Sequence, residues 1–193
     1  MLEWAVLSYI RRKFDDVKHL STESLENRSF GEGCDEESSK NNKEPEQKHV
    51  ILDCRRQDEF EVSHIPDAKN VHFQIKHEDL KNVLLDEAKK LTNTEQEGIN
   101  IVCYCSLGYR SSMLAQKIQN LAKDDPDLSG KNIKAWNLEG SIFKWANENR
   151  PMMDLNEKPT KFAHPFSYTF CMLLHKQYWK WTPDSKTNVS EDL

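Results

Sequence analysis

The sequence predicts an α/β fold, a mostly parallel sheet flanked by helices on both faces, with extra helical segments at the N- and C-termini. Three observations predict it. Short apolar runs (His49–Asp53, Ile99–Tyr104, Ile133–Asn137) alternate with stretches whose apolar residues recur at helical spacing. Those runs are short and nearly continuous, as strands buried on both faces are. A chain of 193 residues, 37% hydrophobic and 31% charged, suffices for one domain with appendages.

Taken in order, residues 2–14 are expected to form a short helix, with Trp4, Leu7, Ile10 or Arg11, and Phe14 along the side that docks on the domain. Val17–Leu20 reads as a short strand, and Ser21-Thr22-Glu23-Ser24 offers the N-cap of a helix with Leu25 in its first turns. Residues 27–47 are rich in Glu, Ser, Asn and Lys and have almost nothing to bury, so a disordered insertion is expected there. His49–Asp53 is a buried strand. Asp58–Val62 is one helical turn, ended by the proline of His64-Ile65-Pro66-Asp67. Asn70–Phe73 is a brief strand, and Leu80, Leu84, Leu85, Ala88 and Leu91 share a helical face. After a polar loop at 92–98 come the Ile99–Tyr104 strand, a helix to about Ala122, the Ile133–Asn137 strand and a helix over Gly140–Asn149 that buries Ile142, Phe143 and Trp145. In the C-terminal stretch Phe162, Phe166, Phe170, Leu173 and Leu174 again recur at helical spacing. So dense a stripe is expected to pack on the domain, with a protein-binding or membrane-resting segment as the sharper alternative. The divisions are then a helical segment at 1–16, a domain at 17–152, an aromatic extension at 153–183 and a disordered tail at 184–193.

Composition narrows the function. The net charge of -5 comes from intermixed signs, which argues against a nucleic-acid surface. No apolar run approaches the roughly 18 residues of a membrane span. Five cysteines form no spaced framework, and the basic residues of the N-terminus follow its apolar ones, unlike a secretory signal. A reducing, cytoplasmic setting is expected.

The most informative segment is I-N-I-V-C-Y-C-S-L-G-Y-R, residues 99–110. An apolar strand stops at Cys105, a tight loop carries Gly108 and Arg110, and Ser111 and Ser112 open the next helix. A cysteine so placed faces the unpaired N–H groups and the dipole of a helix N-terminus, which favour an anion. Its thiol should ionise easily and act as a nucleophile.

The chain from about Val17 to Met152 resembles a rhodanese domain, the single-domain, thiosulfate sulfurtransferase-like type. V-I-L-D-C-R-R-Q-D-E-F-E-V-S-H-I-P-D-A is similar to the family's first signature, C-Y-C-S-L-G-Y-R-S-S to its active loop, and L-E-G-S-I-F-K-W-A-N-E-N-R-P to its closing signature. Where the family usually has glycine, this chain has Ser63, Asp67 and Ser141. The resemblance implies a sulfurtransferase: Cys105 takes sulfane sulfur from a small anionic donor such as thiosulfate and passes it, as a persulfide, to a thiol, cyanide or protein acceptor. It makes Cys105 catalytic and assigns substrate binding to Ser106, Leu107, Gly108, Tyr109 and Arg110. Gly108 lets the loop close, and Arg110 meets the anion. Arg55 either lines the pocket or forms a structural ion pair with Asp53. Glu59 and His64 are expected to fix the first turn, and Cys103 to be a small core residue. The alternatives are a binding or regulatory module of the same fold and, less favoured, a phosphatase or arsenate reductase. Phosphatases of this fold place five residues between cysteine and arginine, where this loop has four. His164, His175 and Cys171 do not converge as a zinc site requires, so no metal or cofactor is expected.

Overall fold

The computed structural model describes residues 2–29, 49–91 and 98–184. It opens with helix α1 (Leu2–Lys13), followed by strand β1 (Lys18–Leu20) and helix α2 (Thr22–Ser29). Then come β2 (His49–Asp53), α3 (Gln57–Val62), β3 (Lys69–Asn70), α4 (His77–Leu91), β4 (Ile99–Tyr104), α5 (Tyr109–Asp124), β5 (Ile133–Leu138) and α6 (Ser141–Asn147). The five strands form one sheet in the order β1-β5-β4-β2-β3, every neighbouring pair parallel. β3 is shorter than the Asn70–Phe73 run suggested, because only Lys69 and Asn70 find register against Leu52 and Asp53.

Strand alternation sorts the core into two layers. Val50, Leu52, Ile99, Ile101, Cys103 and Ala135 point to one face and pack against Leu80 and Leu84 of α4 and Leu114 and Ile118 of α5. Ile51, Val102, Tyr104 and Leu138 point to the other, against Leu25 of α2 and Phe143 and Trp145 of α6. Burial of both faces is why β4 reads as an unbroken apolar run, each of its six residues being buried.

The flanking segments differ from expectation in three ways. α1 docks through Val6 and Ile10, with Phe14 following, on the face of α4 and α5; Trp4, expected on that stripe, is 75% exposed. Asn27–Ser29 complete the last turn of α2 instead of starting an insertion, while 30–47, the loop positions 92–97 and the tail from 185 lie outside the described residues. Third, no α-helix forms in the C-terminal extension. It is a strap with two 3-10 turns, Cys171–Leu173 and Lys176–Tyr178, and bridges at Met153–Pro159 and Ala163–Trp179. Pro159 and Pro165 each lack the N–H a helix needs and push the preceding residue toward extended backbone, which defeats the helical spacing.

The strap packs on the domain. Ala163, Leu174 and Tyr178 join the layer around Trp145. Asn147 of α6 donates its side-chain amide to the Leu173 carbonyl at 2.9 Å and accepts the His175 N–H at 2.8 Å.

Candidate active site

β4 is the central strand, and Cys105 stands at its carboxyl end, where β2 leads to β3 on one side and β4 leads on to β5 on the other. Open α/β sheets bind ligands at such a switch point. Gly108 caps α5 with φ +115, a backbone that side chains rarely adopt, and a Cβ there would lie 3.2 Å from the Asn137 amide. That turn brings the Gly108 N–H to the Cys105 Sγ at 3.1 Å. The Ser111 hydroxyl has two acceptors within reach of its one proton, the same sulfur at 3.5 Å and Asn137 Oδ1 at 2.6 Å. The Cys105 backbone N–H is held in turn by Ser141 Oγ at 3.2 Å.

Burial pushes the Cys105 thiol up, but the Arg110 charge, the Ser111 hydroxyl and the N–H groups of Ser111 and Gly108 outweigh it, and the thiol settles below its ordinary value. Cys54 shows the contrast. It follows β2 directly across from Cys105 and shares its layer with Cys103 and Cys105. There burial and a hydrogen bond with Cys103 push its thiol well up. Cys103 is fully buried core, as expected.

Arg110 does not present a free guanidinium. Nη1 and Nη2 donate to the two carboxylate oxygens of Glu59 at 2.8 and 2.9 Å, and Nη2 also reaches Ser106 Oγ at 2.9 Å. The Phe166 ring of the strap covers it, 4.6 Å from the guanidinium carbon to the ring centre. Burial tends to raise the fully enclosed Glu59 carboxyl, yet Arg110, helped by Arg55 and the Arg56 N–H, brings it down to about 2. Arg110 therefore acts on Cys105 through its field, while its terminal nitrogens donate to Glu59 and Ser106.

Of the predicted binding residues, Ser106, Leu107, Tyr109 and Arg110 line a cavity of about 620 Å³ with Cys105 on its wall; Gly108 shapes the loop from behind. Arg55 stands apart from it. Its side chain is completely buried, paired with Asp53 at 2.6 Å and donating to the Ser63 carbonyl at 2.5 Å. His64 stacks on Phe60 with ring centres 4.1 Å apart and bonds the Phe60 carbonyl, a turn-fixing role.

Two of the three glycine departures sit where glycine is favoured: Asp67 has φ 61 and Ser141 φ 51, whereas Ser63 is extended at φ -170. Sequence reasoning missed Glu59 as the partner of Arg110, the Ser111–Asn137 contact, and the parts played by α1 and Phe166. Asn137 carried a signal, an amide where a core strand ends. Phe166 carried none.

The chain belongs to the rhodanese family: the model of the Rhodanese-like domain matches residues 36–148. Among solved structures it is similar to a thiosulfate sulfurtransferase from Pseudomonas aeruginosa, with 17% identity and a TM-score of 0.49 over 79% of this chain and 23% of that one. It therefore spans less than a quarter of that enzyme. A rhodanese-like domain protein from Staphylococcus aureus shares 19% identity, TM-score 0.40, over 67% of this chain and 91% of that one. A yeast protein described as a tyrosine phosphatase of the rhodanese family shares 19% identity, TM-score 0.49, over 68% and 85%. No curated protein matches the chain.

Proposed function

We propose that this protein is a sulfurtransferase that carries sulfane sulfur as a persulfide on Cys105. The observation that carries the reading is the Gly108 N–H on the Cys105 Sγ at 3.1 Å, a loop closed around one sulfur atom at the N-terminus of α5. In the first half-reaction the Cys105 thiolate attacks the outer sulfur of a donor. The donor's S–S bond breaks, and its electron pair leaves with the departing sulfite or thiolate. In the second, an acceptor thiolate or cyanide attacks the outer sulfur, and the pair of the breaking bond returns to Sγ. Each half begins or ends with negative charge on Sγ, which the Gly108 and Ser111 N–H groups, the Ser111 hydroxyl and the Arg110 field stabilise. No general base is needed where the thiolate already exists.

The four described cysteines are free thiols and no described helix is long and apolar enough to cross a membrane, which suits the reducing cytoplasm as the setting. The donor expected from the sequence, a small anion such as thiosulfate, meets in Arg110 a cation already paired, so the reading rests on sulfur transfer and not on that donor. Intact mass spectrometry after incubation with thiosulfate or inorganic polysulfide tests it. One added sulfur atom is expected, absent in Cys105→Ser and removed by a thiol or, as thiocyanate, by cyanide. A protein that gains no sulfur from either donor overturns the reading.

A further inference from the structure

The cavity over Cys105 is larger than a sulfur atom and its oxygens require. At about 620 Å³ it lies within the roughly 300–1,000 Å³ of sites that enclose organic ligands. Val6 and Ile10 of α1 form one wall, Leu107 of the loop another, and Phe166 and Phe170 of the strap a third. Arg110 is the single charged residue among those lining it, and it is bound by Glu59 along its edge and covered by Phe166 on its face. With Cys105 ionised, the Glu59–Arg110–Cys105 group carries one net negative charge, and the lining offers no cation beyond the paired Arg110 to a second anionic group on a thiol partner.

Phe166 adds a second, independent observation. Its φ is +64, a left-handed backbone that a bulky residue adopts only when its surroundings impose it. That conformation goes with a ring that both covers Arg110 and lines the cavity. Tyr9 and Phe170, which also line it, keep 55% and 36% of their surface exposed. The apolar lining thus reaches solvent, as a route for an apolar group would.

We propose that Cys105 exchanges its sulfur with an organic thiol bearing an alkyl or aryl group, which the cavity encloses. This rests on the sulfurtransferase reading and names its partner. The thiolate R–S⁻ attacks the outer sulfur of the Cys105 persulfide. A bond forms between the two, the Sγ–S bond breaks, and its electron pair stays on Sγ, leaving R–S–S–H after protonation. No oxidant or reductant is consumed, and the reverse step loads the enzyme from R–S–S–H.

The test uses the full chain, loaded with inorganic polysulfide and freed of excess reagent. Loss of the added sulfur is followed by mass for straight-chain alkanethiols from ethanethiol to hexanethiol and for 2-mercaptoethanesulfonate, at matched thiolate concentration. Burying a methylene is worth about 0.8 kcal/mol, so the rate constant should rise by about two- to fourfold per carbon, with the sulfonate slowest. Phe170→Asp should flatten that rise by placing a carboxylate in the lining. A flat or falling series, or a sulfonate that reacts fastest, overturns the proposal while leaving sulfur transfer intact. If the chain takes up no sulfur, the sulfurtransferase reading falls and the proposal with it. The homologous series needs no variant, so a Phe170→Asp protein that fails to fold leaves the test standing.

Discussion

Glu59→Gln removes the charge that holds Arg110 while keeping the shape and one acceptor oxygen. The Glu59 carboxylate is fully enclosed and accepts both terminal nitrogens of Arg110 at 2.8 and 2.9 Å. Its folded value is brought from 4.5 down to about 2. A depressed carboxyl contributes stability that is fully present above its unfolded value and is lost as pH falls toward the folded one. At about 1.4 kcal/mol per unit, the drop corresponds to on the order of 3 kcal/mol near neutral pH, vanishing between about pH 4.5 and pH 2. The same figure falls within the cost of breaking a buried pair, about 3–5 kcal/mol. Urea unfolding followed by tryptophan fluorescence at several pH values from 7 to 2.5 measures it. The parent should be more stable than Glu59→Gln by about 3 kcal/mol at pH 7, and the two curves should converge as acid protonates Glu59. Domain stabilities of about 5–15 kcal/mol leave the variant folded for the comparison. Parallel curves, with a difference that does not change with pH, would refute the coupling between Glu59 and Arg110.

Four further outcomes follow from other contacts. Ser111→Ala removes a hydroxyl that lowers the Cys105 thiol, so the pH midpoint of iodoacetamide alkylation at Cys105, read by peptide mass, should move upward; an unchanged midpoint contradicts the role given to that hydroxyl. Asp67→Gly relieves a left-handed backbone at φ 61 on an exposed turn and should stabilise the fold by about 0.5–1 kcal/mol in urea titration. Ser141→Gly should gain nothing, because the buried hydroxyl that accepts the Cys105 N–H and donates to Leu138 is lost with the strain. Leu174→Ala should cost about 2–5 kcal/mol because this strap residue is core, and a change under 0.5 kcal/mol would mean that the strap is dispensable.

Much of the fold was legible because its cause is local. β2, β4 and β5 bury residues on both faces and so read as short apolar runs, and α4 and α5 announce themselves by one buried stripe each. The loop was legible too: four residues between Cys105 and Arg110, with a glycine where φ is +115, describe a tight turn around one atom. The strap was misread because Phe162, Phe166 and Phe170 are spaced as a helix would space them. Pro165 withdraws an N–H in their midst, and burial of Leu174 and Tyr178 against Trp145 takes over. α1 was placed correctly along the chain, but which side it buries depends on the neighbour it meets.

The sequence by itself determined the parallel sheet, the cysteine at the end of its central strand and the small loop that follows it. Each follows from residues adjacent in the chain or repeated at a fixed period. Only the tertiary structure decided that Glu59, 51 residues before Arg110, occupies the guanidinium, and that α1 and the strap, from opposite ends of the chain, meet over the sulfur. Those contacts depend on which surfaces come together when the core closes, and no spacing along the chain encodes them. The loop lowers the Cys105 thiol, and the walls that distant segments build around it give its cavity an apolar character.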